Sequence, residues 1–178
     1  MASERIAVVA LGANLGDRAE TLGEALRRVE AAGARVLAVS SLYETAPVGC
    51  ATGAPDFLNA AAALSAPAGT TPERLLATLA ATETALGRER PFPNAPRTCD
   101  LDLIFFEAET RATPSLTLPH PRWRERAFVL EPLAEIFEGG GARLAREPWR
   151  TLRRETLDAL AAADRSGVRR AGTFPWKR

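Results

Sequence analysis

Asp100-Leu101-Asp102-Leu103-Ile104-Phe105-Phe106 is the stretch whose reading decides the fold. It is a strongly apolar run interrupted by two carboxylates, and it predicts a β-strand. Side chains at i and i+2 of a strand share a face, so Asp100 and Asp102 project together while Leu101 and Leu103 point into a core. Before it, Arg88 to Arg97 holds three prolines and three arginines and predicts a loop. Thr71-Pro72-Glu73 opens a helix, with a capping hydroxyl, Pro at the first helical position and an acid favoured by the dipole. Leu75, Leu76, Leu79 and Leu86 give that helix its apolar stripe, and Gly87 stops it. Phe57 to Leu64 and Val36 to Tyr43 predict two further strands, joined by the Pro-, Gly- and Thr-rich loop Ala46 to Pro55. Arg5 to Leu11 is a buried first strand, and Gly12-Ala13-Asn14-Leu15-Gly16 is a turn. Asp17 then caps a helix whose Leu22, Ala25, Leu26 and Val29 recur at helical spacing up to Gly33.

Toward the C-terminus the signal weakens from Gly139 onward. Trp149 to Ala163 predicts a last helix, and the basic tail from Arg165 is expected to be partly mobile. Two successive strand–helix–strand units imply an α+β fold of ferredoxin-like type, an antiparallel sheet with helices on one face. The expectation is a single domain over residues 1–178, with no internal repeat and no linker.

The chain has 178 residues, of which 46% are hydrophobic and 25% charged, a composition ordinary for a soluble globular protein. Its net charge of +1 gives no global field to recruit nucleic acid or an anionic membrane, so any anion site must be local. Cys50 and Cys99 have no metal-ligand neighbours at useful spacing and read as reduced thiols. No apolar run approaches the roughly 20 residues that cross a bilayer, and Met1 to Arg5 does not open a secretory signal. The expectation is a cytoplasmic monomer with small-molecule substrates, and without nucleic-acid or membrane partners.

Two like charges on one strand face repel unless a cation lies between them. Mg²⁺ suits Asp100 and Asp102, because it takes few carboxylates and completes its shell with phosphate and water oxygens. The plainer reading is a solvated face whose aspartates pair with arginines. Arg88, Arg90 and Arg97 precede the strand, and Arg122, Arg124 and Arg126 follow His120. Guanidinium groups grip phosphate oxygens through paired donors, so this interleaving fits a metal–triphosphate, although a surface ion-pair network stays open. His120 is the one histidine, set between Pro119 and Pro121. It reads either as a local hydrogen-bonder or as a phosphate contact.

These segments resemble the hydroxymethyldihydropterin pyrophosphokinase family, in the same order along the chain. The matching pieces are Leu11 to Gly16, Tyr43 to Gly49, Asp56 to Ala61, Gly87 to Arg90, Ala95 to Asp102, and Leu118 to Arg122 running into Arg126 to Leu130. The run Pro96-Arg97-Thr98-Cys99-Asp100-Leu101-Asp102 is the most specific. The resemblance covers roughly residues 6–137. It implies a site in which Asp100 and Asp102 hold two Mg²⁺ ions. Glu83, Arg88, Arg97, His120 and Arg126 then bind ATP, with Arg88 and Arg97 also catalytic. Phe57 and Phe128 sandwich the pterin, and Thr45, Ala46, Val48 and Asn59 complete its pocket. A flat bicyclic ring needs aromatic faces and hydrogen-bonding edges, which Phe57 and Asn59 supply two residues apart on one strand. The plainer reading makes both phenylalanines ordinary core.

The chain departs from the family in three places. Pro93-Asn94-Ala95 stands where some members carry a lid tryptophan, which puts a pterin contact in doubt and leaves Phe92 as a substitute. Pro121 replaces an aromatic after the histidine, and Ala80 stands where some relatives have a nucleotide-binding glutamine. The implied reaction is pyrophosphoryl transfer from ATP to 6-hydroxymethyl-7,8-dihydropterin in folate synthesis, with residues 88–97 closing over the phosphates. Two alternatives remain at this point. One is another nucleotide-dependent transferase with a different acceptor. The other is a non-enzymatic ferredoxin-like module such as an RNA binder, which would need stacking aromatics on a basic sheet face.

Overall fold

The computed structural model describes residues 4–47, 53–87 and 98–176. Its elements are β1 (Arg5–Ala13), α1 (Arg18–Ala31), β2 (Arg35–Val39), β3 (Leu42–Thr45), β4 (Phe57–Ala66), α2 (Pro72–Ala85) and β5 (Asp100–Phe106). They continue with β6 (Arg111–Ala112), β7 (Thr117–Leu118), a 3₁₀ turn (Trp123–Glu125), α3 (Ala127–Gly139), α4 (Gly141–Leu144), α5 (Trp149–Ala162) and β8 (Val168–Gly172). Strands run in the order β5-β1-β4-β3-β8, with β2 also on β4, and every pairing is antiparallel. The α+β expectation holds. Among the described residues no helix is long and apolar enough to cross a membrane.

Caps fall where the sequence puts them. Asp17 accepts from the amide of Glu20, and Thr71 accepts from that of Arg74. Gly33 and Gly87, at φ of 106° and 76°, leave their helices in the left-handed region that favours glycine.

Helices cover both faces of the sheet, not one. Ala7, Val9 and Leu11 of β1 pack under α1 and α2, while Ile6 and Val8 pack under α3 and α5. The reason lies in the strands. β1 and β4 are apolar on both sides, without polar alternation, and such strands need two covers. The second cover is α3, an element missing from the sequence reading.

Three boundaries also move. β1 continues through Gly12 and Ala13, so the expected turn starts later. The single strand expected from Val36 to Tyr43 breaks at Ser40-Ser41, where the Ser40 hydroxyl replaces a ladder contact by accepting from Ala61 N at 2.9 Å. Within the tail from Arg165, expected to be partly mobile, Val168–Gly172 form β8, paired along β3.

Ladder β1–β5 skips one residue, with Val8 opposite Phe105 and Val9 opposite Leu103. Ile104 is the extra residue of a β-bulge. It allows Ile104 and Phe105 both to enter the α3-side core while Leu101, Leu103 and Phe106 enter the other.

The middle of β4 has no slack, since Ala61, Ala62 and Ala63 are fully buried between the two helical layers. Ala63→Leu should overpack the α3 side and cost about 1–3 kcal/mol. Urea unfolding should show a lower midpoint at an unchanged slope. An unchanged midpoint would mean that the layers are not closely packed there.

Candidate active site

Register in the sheet sets the site. Gly12 of β1 faces Asn59 of β4 on one side and Asp100 of β5 on the other. A methyl group at position 12 would sit 3.5 Å from Asn59 Oδ1, 3.9 Å from Asp100 Cβ and 3.9 Å from the Phe57 ring. One residue pair further, Ala10 faces Asp102 and Ala61. A floor of small residues therefore separates two carboxylates from an amide and an aromatic ring. Asp100 and Asp102 share the α3 side of β5, because Leu101 and Leu103 are sunk in the opposite core. Both aspartates remain half-buried.

The pair is supported from the sheet edge. Glu83, at the end of α2 and only 6% exposed, accepts from Leu101 N at 2.7 Å. β5 is an edge strand, so a carboxylate here satisfies a backbone donor that lacks a strand partner. Glu83 thus stands beside the aspartates as a brace for the strand that carries them.

Over the carboxylates hangs the segment from His120 to Phe128. The amide of His120 donates to the carbonyl of the bulge residue Ile104 at 3.0 Å. Trp123 packs edge-on against Phe105, with ring centroids 5.0 Å apart, and anchors the 3₁₀ turn. His120 Nδ1 accepts from the amide of Arg122 at 3.2 Å, so in the neutral ring the proton sits on Nε2. Burial holds the imidazole pKa below its ordinary value. Arg126 and Arg122 push it the same way, against the opposing pull of Asp102 and Asp100. Burial, then Arg122, likewise lowers the pKa of Arg126 against the pull of both aspartates. Arg126 nevertheless stays cationic at neutral pH. It immediately precedes α3 and adds its charge to the positive end of that helix, which has no capping side chain. Its guanidinium lies 5.7 Å from the Phe128 ring centroid.

On the other side of Gly12, Asn59 Nδ2 donates to Thr45 Oγ1 at 2.9 Å and to Tyr43 O at 3.4 Å. Those bonds fix the amide so that Oδ1 turns toward Gly12 as an acceptor. Asn14 donates to the carbonyl of Pro55 and Arg18 to that of Asp56, which ties down the approach to Phe57. Ala46 follows Thr45 at the surface. Phe57 and Phe128 are the two described phenylalanines that are not fully buried, whereas Phe105, Phe106, Phe137 and Phe174 are core.

The sheet and the α3 N-terminus thus gather Asp100, Asp102, His120, Arg126, Phe57, Asn59 and Thr45 around one floor, with Phe128 beside Arg126 and Ala46 next along the chain from Thr45. Val48, Arg88, Arg97, Phe92 and Cys50 lie outside the described residues, and Cys99 is buried in the core. Sequence reasoning assigned no site role to Gly12 and did not use Trp123. A strand pattern continuing through Ala13 signals the first, but nothing local signals the second.

Among the described residues no three of His, Cys, Asp and Glu converge on one point. The donor set is two carboxylates beside an arginine and a neutral imidazole. It fits a hard cation that completes its shell with water and phosphate oxygens.

Comparison with known proteins agrees with this arrangement. The sequence model described as 7,8-dihydro-6-hydroxymethylpterin-pyrophosphokinase (HPPK) matches residues 8–138. A Bacillus subtilis protein named 2-amino-4-hydroxy-6-hydroxymethyldihydropteridine pyrophosphokinase is 45% identical over 132 residues, 74% of this chain and 77% of that one. The protein of the same name from Methylorubrum extorquens is 40% identical over 166 residues, 92% of this chain and 97% of that one. The mitochondrial folate synthesis bifunctional protein of Arabidopsis thaliana is 40% identical over 134 residues, and only 24% of it is covered. A crystal structure of Plasmodium falciparum HPPK-DHPS shares the fold, with a TM-score of 0.61 at 13% identity over 96% of this chain and 48% of that one. The chain spans about half the length of that structure. Matched by the family model from residue 8 to residue 138, and at least 40% identical to two bacterial members over 77% and 97% of their lengths, the chain belongs to the 7,8-dihydro-6-hydroxymethylpterin-pyrophosphokinase family.

Proposed function

We propose that the bowl around Gly12 is where this pyrophosphokinase of folate synthesis brings ATP and 6-hydroxymethyl-7,8-dihydropterin together. The observation that carries the assignment is the register of β1, which puts Asp100 on one side of Gly12 and Asn59 with Phe57 on the other. The hydroxymethyl oxygen attacks the β-phosphorus. The new O–Pβ bond forms as the bond from Pβ to the bridging oxygen of the α-phosphate breaks, AMP leaves, and the hydroxyl proton passes to solvent.

Asp100 and Asp102 would hold two Mg²⁺ ions, which would supply charge neutralisation of the triphosphate. Arg126 contributes a fixed cation at the phosphate end. His120, neutral with its proton on Nε2, donates a hydrogen bond without adding charge. Phe57 and Phe128 grip the two faces of the pterin. Asn59 Oδ1 accepts from a pterin N–H, held in that orientation by Thr45, and Ala46 and Val48 close the rim. Glu83 braces the metal-carrying strand and is assigned to the nucleotide side. Arg88 and Arg97 belong to the phosphate contacts by family resemblance. A cytoplasmic monomer is part of the same proposal.

Purified protein with MgATP and the pterin alcohol should yield AMP and pterin pyrophosphate in equal amounts, and neither product without a divalent cation. Chromatographic detection of ADP or free phosphate as the nucleotide-derived product would overturn the reading.

Asp100→Asn and Asp102→Asn should each lower turnover by at least about two orders of magnitude, because metal placement is worth several kcal/mol. Each variant keeps the side-chain shape, so thermal unfolding should change little. A folded variant with near-normal turnover removes that residue from the site.

The single histidine permits a direct titration. The His120 proton resonance should titrate below a free imidazole, whose midpoint is near about 6.5. The sign follows for stability. With the folded value depressed, the unfolded chain takes the proton first. This contribution to stability is therefore lost as pH falls from the free value toward the folded one. A midpoint at or above the free value contradicts a buried neutral ring.

A further inference from the structure

β3, only four residues long, ends in Thr45, the residue that orients Asn59. Its pairing with β4 covers three residues, Tyr43 opposite Asn59, Glu44 opposite Leu58 and Thr45 opposite Phe57. A strand this short is weakly fixed by one neighbour. Its second neighbour comes from the far end of the chain: β8 sets Val168 opposite Thr45, Arg169 opposite Glu44 and Arg170 opposite Tyr43.

Side chains reinforce this pairing on both faces. On the α1 side, Glu44 pairs with Arg18 at 2.9 Å and with Arg169. Arg18 also reaches the carbonyl of Asp56, next to Phe57, at 2.7 Å. On the α3 side, the Tyr43 hydroxyl donates to Glu135 at 2.8 Å, and the Ser41 amide and hydroxyl donate to the same carboxylate. Arg170 stands 3.8 Å from Glu135. Hydrogen bonds from Ser41 and Tyr43, with Arg170, outweigh the burial that opposes them and keep Glu135 ionised below its ordinary pKa. Beyond β8, Phe174 is sunk into the core beneath α1 and anchors the strand.

We propose that β8 is a positioning element for the acceptor half of the site. Val168 through the Thr45 backbone, and Arg169 through Glu44, hold β3 so that Thr45 keeps the Asn59 amide facing the pterin. The proposal rests on the assignment of Thr45, Asn59 and Phe57 to the pterin. None of the β8 residues is placed on the ATP side, so its effect must be asymmetric between substrates. Arg169 is itself mostly solvent-exposed, and exposed ion pairs add little to global stability. The effect belongs in pterin KM rather than in the melting temperature.

The test uses steady-state kinetics with both substrates varied, on the full chain carrying Arg169→Ala, Arg169→Lys or Glu44→Gln, and on a chain ending at Gly167. Pterin KM should rise about threefold or more in Arg169→Ala and Glu44→Gln, and about tenfold or more in the shortened chain. ATP KM and kcat should stay within about twofold in the point variants. Arg169→Lys should recover part of the loss, since it keeps the charge but not the paired donors. Wild-type pterin KM in both Arg169→Ala and Glu44→Gln overturns the proposal, as does an equal rise in both KM values. The point variants decide the matter if the shortened chain fails to fold. Asn59→Ala, run in parallel, separates the two levels. A raised pterin KM there with unchanged β8 variants rejects β8 alone, whereas an unchanged KM rejects the pterin assignment beneath it.

Discussion

Antiparallel pairing of β1 with β4 on one side and β5 on the other is the constraint on which the rest of the molecule depends. Side chains alternate along a strand with a period of two, so a slip of one residue would turn every β1 side chain to the opposite face. The slip would break both cores at once, because Ile6 and Val8 fill one and Ala7, Val9 and Leu11 fill the other. The same register sets Gly12 between Asn59 and Asp100. Chemistry and packing therefore share a single specification. The bulge at Ile104 is what permits it, by absorbing one residue between the paired end of β5 that carries the aspartates and the end that fills the α3-side core.

Much of this was legible because it is local. Alternation in Asp100 to Leu103 gives the carboxylate face without knowledge of any partner strand. The caps at Asp17 and Thr71 and the glycine stops at Gly33 and Gly87 are likewise short-range chemistry. Phe57 and Asn59 share a face for the same period-two reason. What sequence did not show is non-local. Cover on the second face depends on α3, whose apolar stretch around Leu130 to Phe137 follows a proline- and arginine-rich segment and holds Pro132 within it. The tail from Arg165 is polar and short in apolar pattern, and only the bare edge of β3 makes a strand of it. Gly12 looked like the start of a turn because glycine ends strands more often than it lines a floor. The assignment at Val48 rests on family resemblance alone, and those at Arg88 and Arg97 on that resemblance together with their interleaving with the aspartates in sequence.

Two carboxylates illustrate how little the identity of a residue says about its task. Glu83 and Glu135 are acids within reach of the site, yet both spend oxygens on groups that are not substrates: Glu83 on the Leu101 amide, Glu135 on Ser41 and Tyr43. Each steadies a strand, one the strand that carries the aspartates and one the strand that pairs with Asn59. Asp100 and Asp102 instead lie half-buried on the strand face beside Arg126 and His120.

The placement of β8 has a last consequence, for behaviour in a crowded solution. Open rows of strand amides and carbonyls are templates on which other chains can dock and aggregate. Without its tail, the chain would present β3 as such a row, flanked by Tyr43 and Leu42. The tail moves the rim outward to a five-residue strand bearing Arg169 and Arg170, whose charges repel a like neighbour. The opposite rim, β5, carries Asp100 and Asp102 and has one of its amides already engaged by Glu83. Each margin of the sheet thus carries like charges, which oppose the pairing of that edge with the same edge of a second copy.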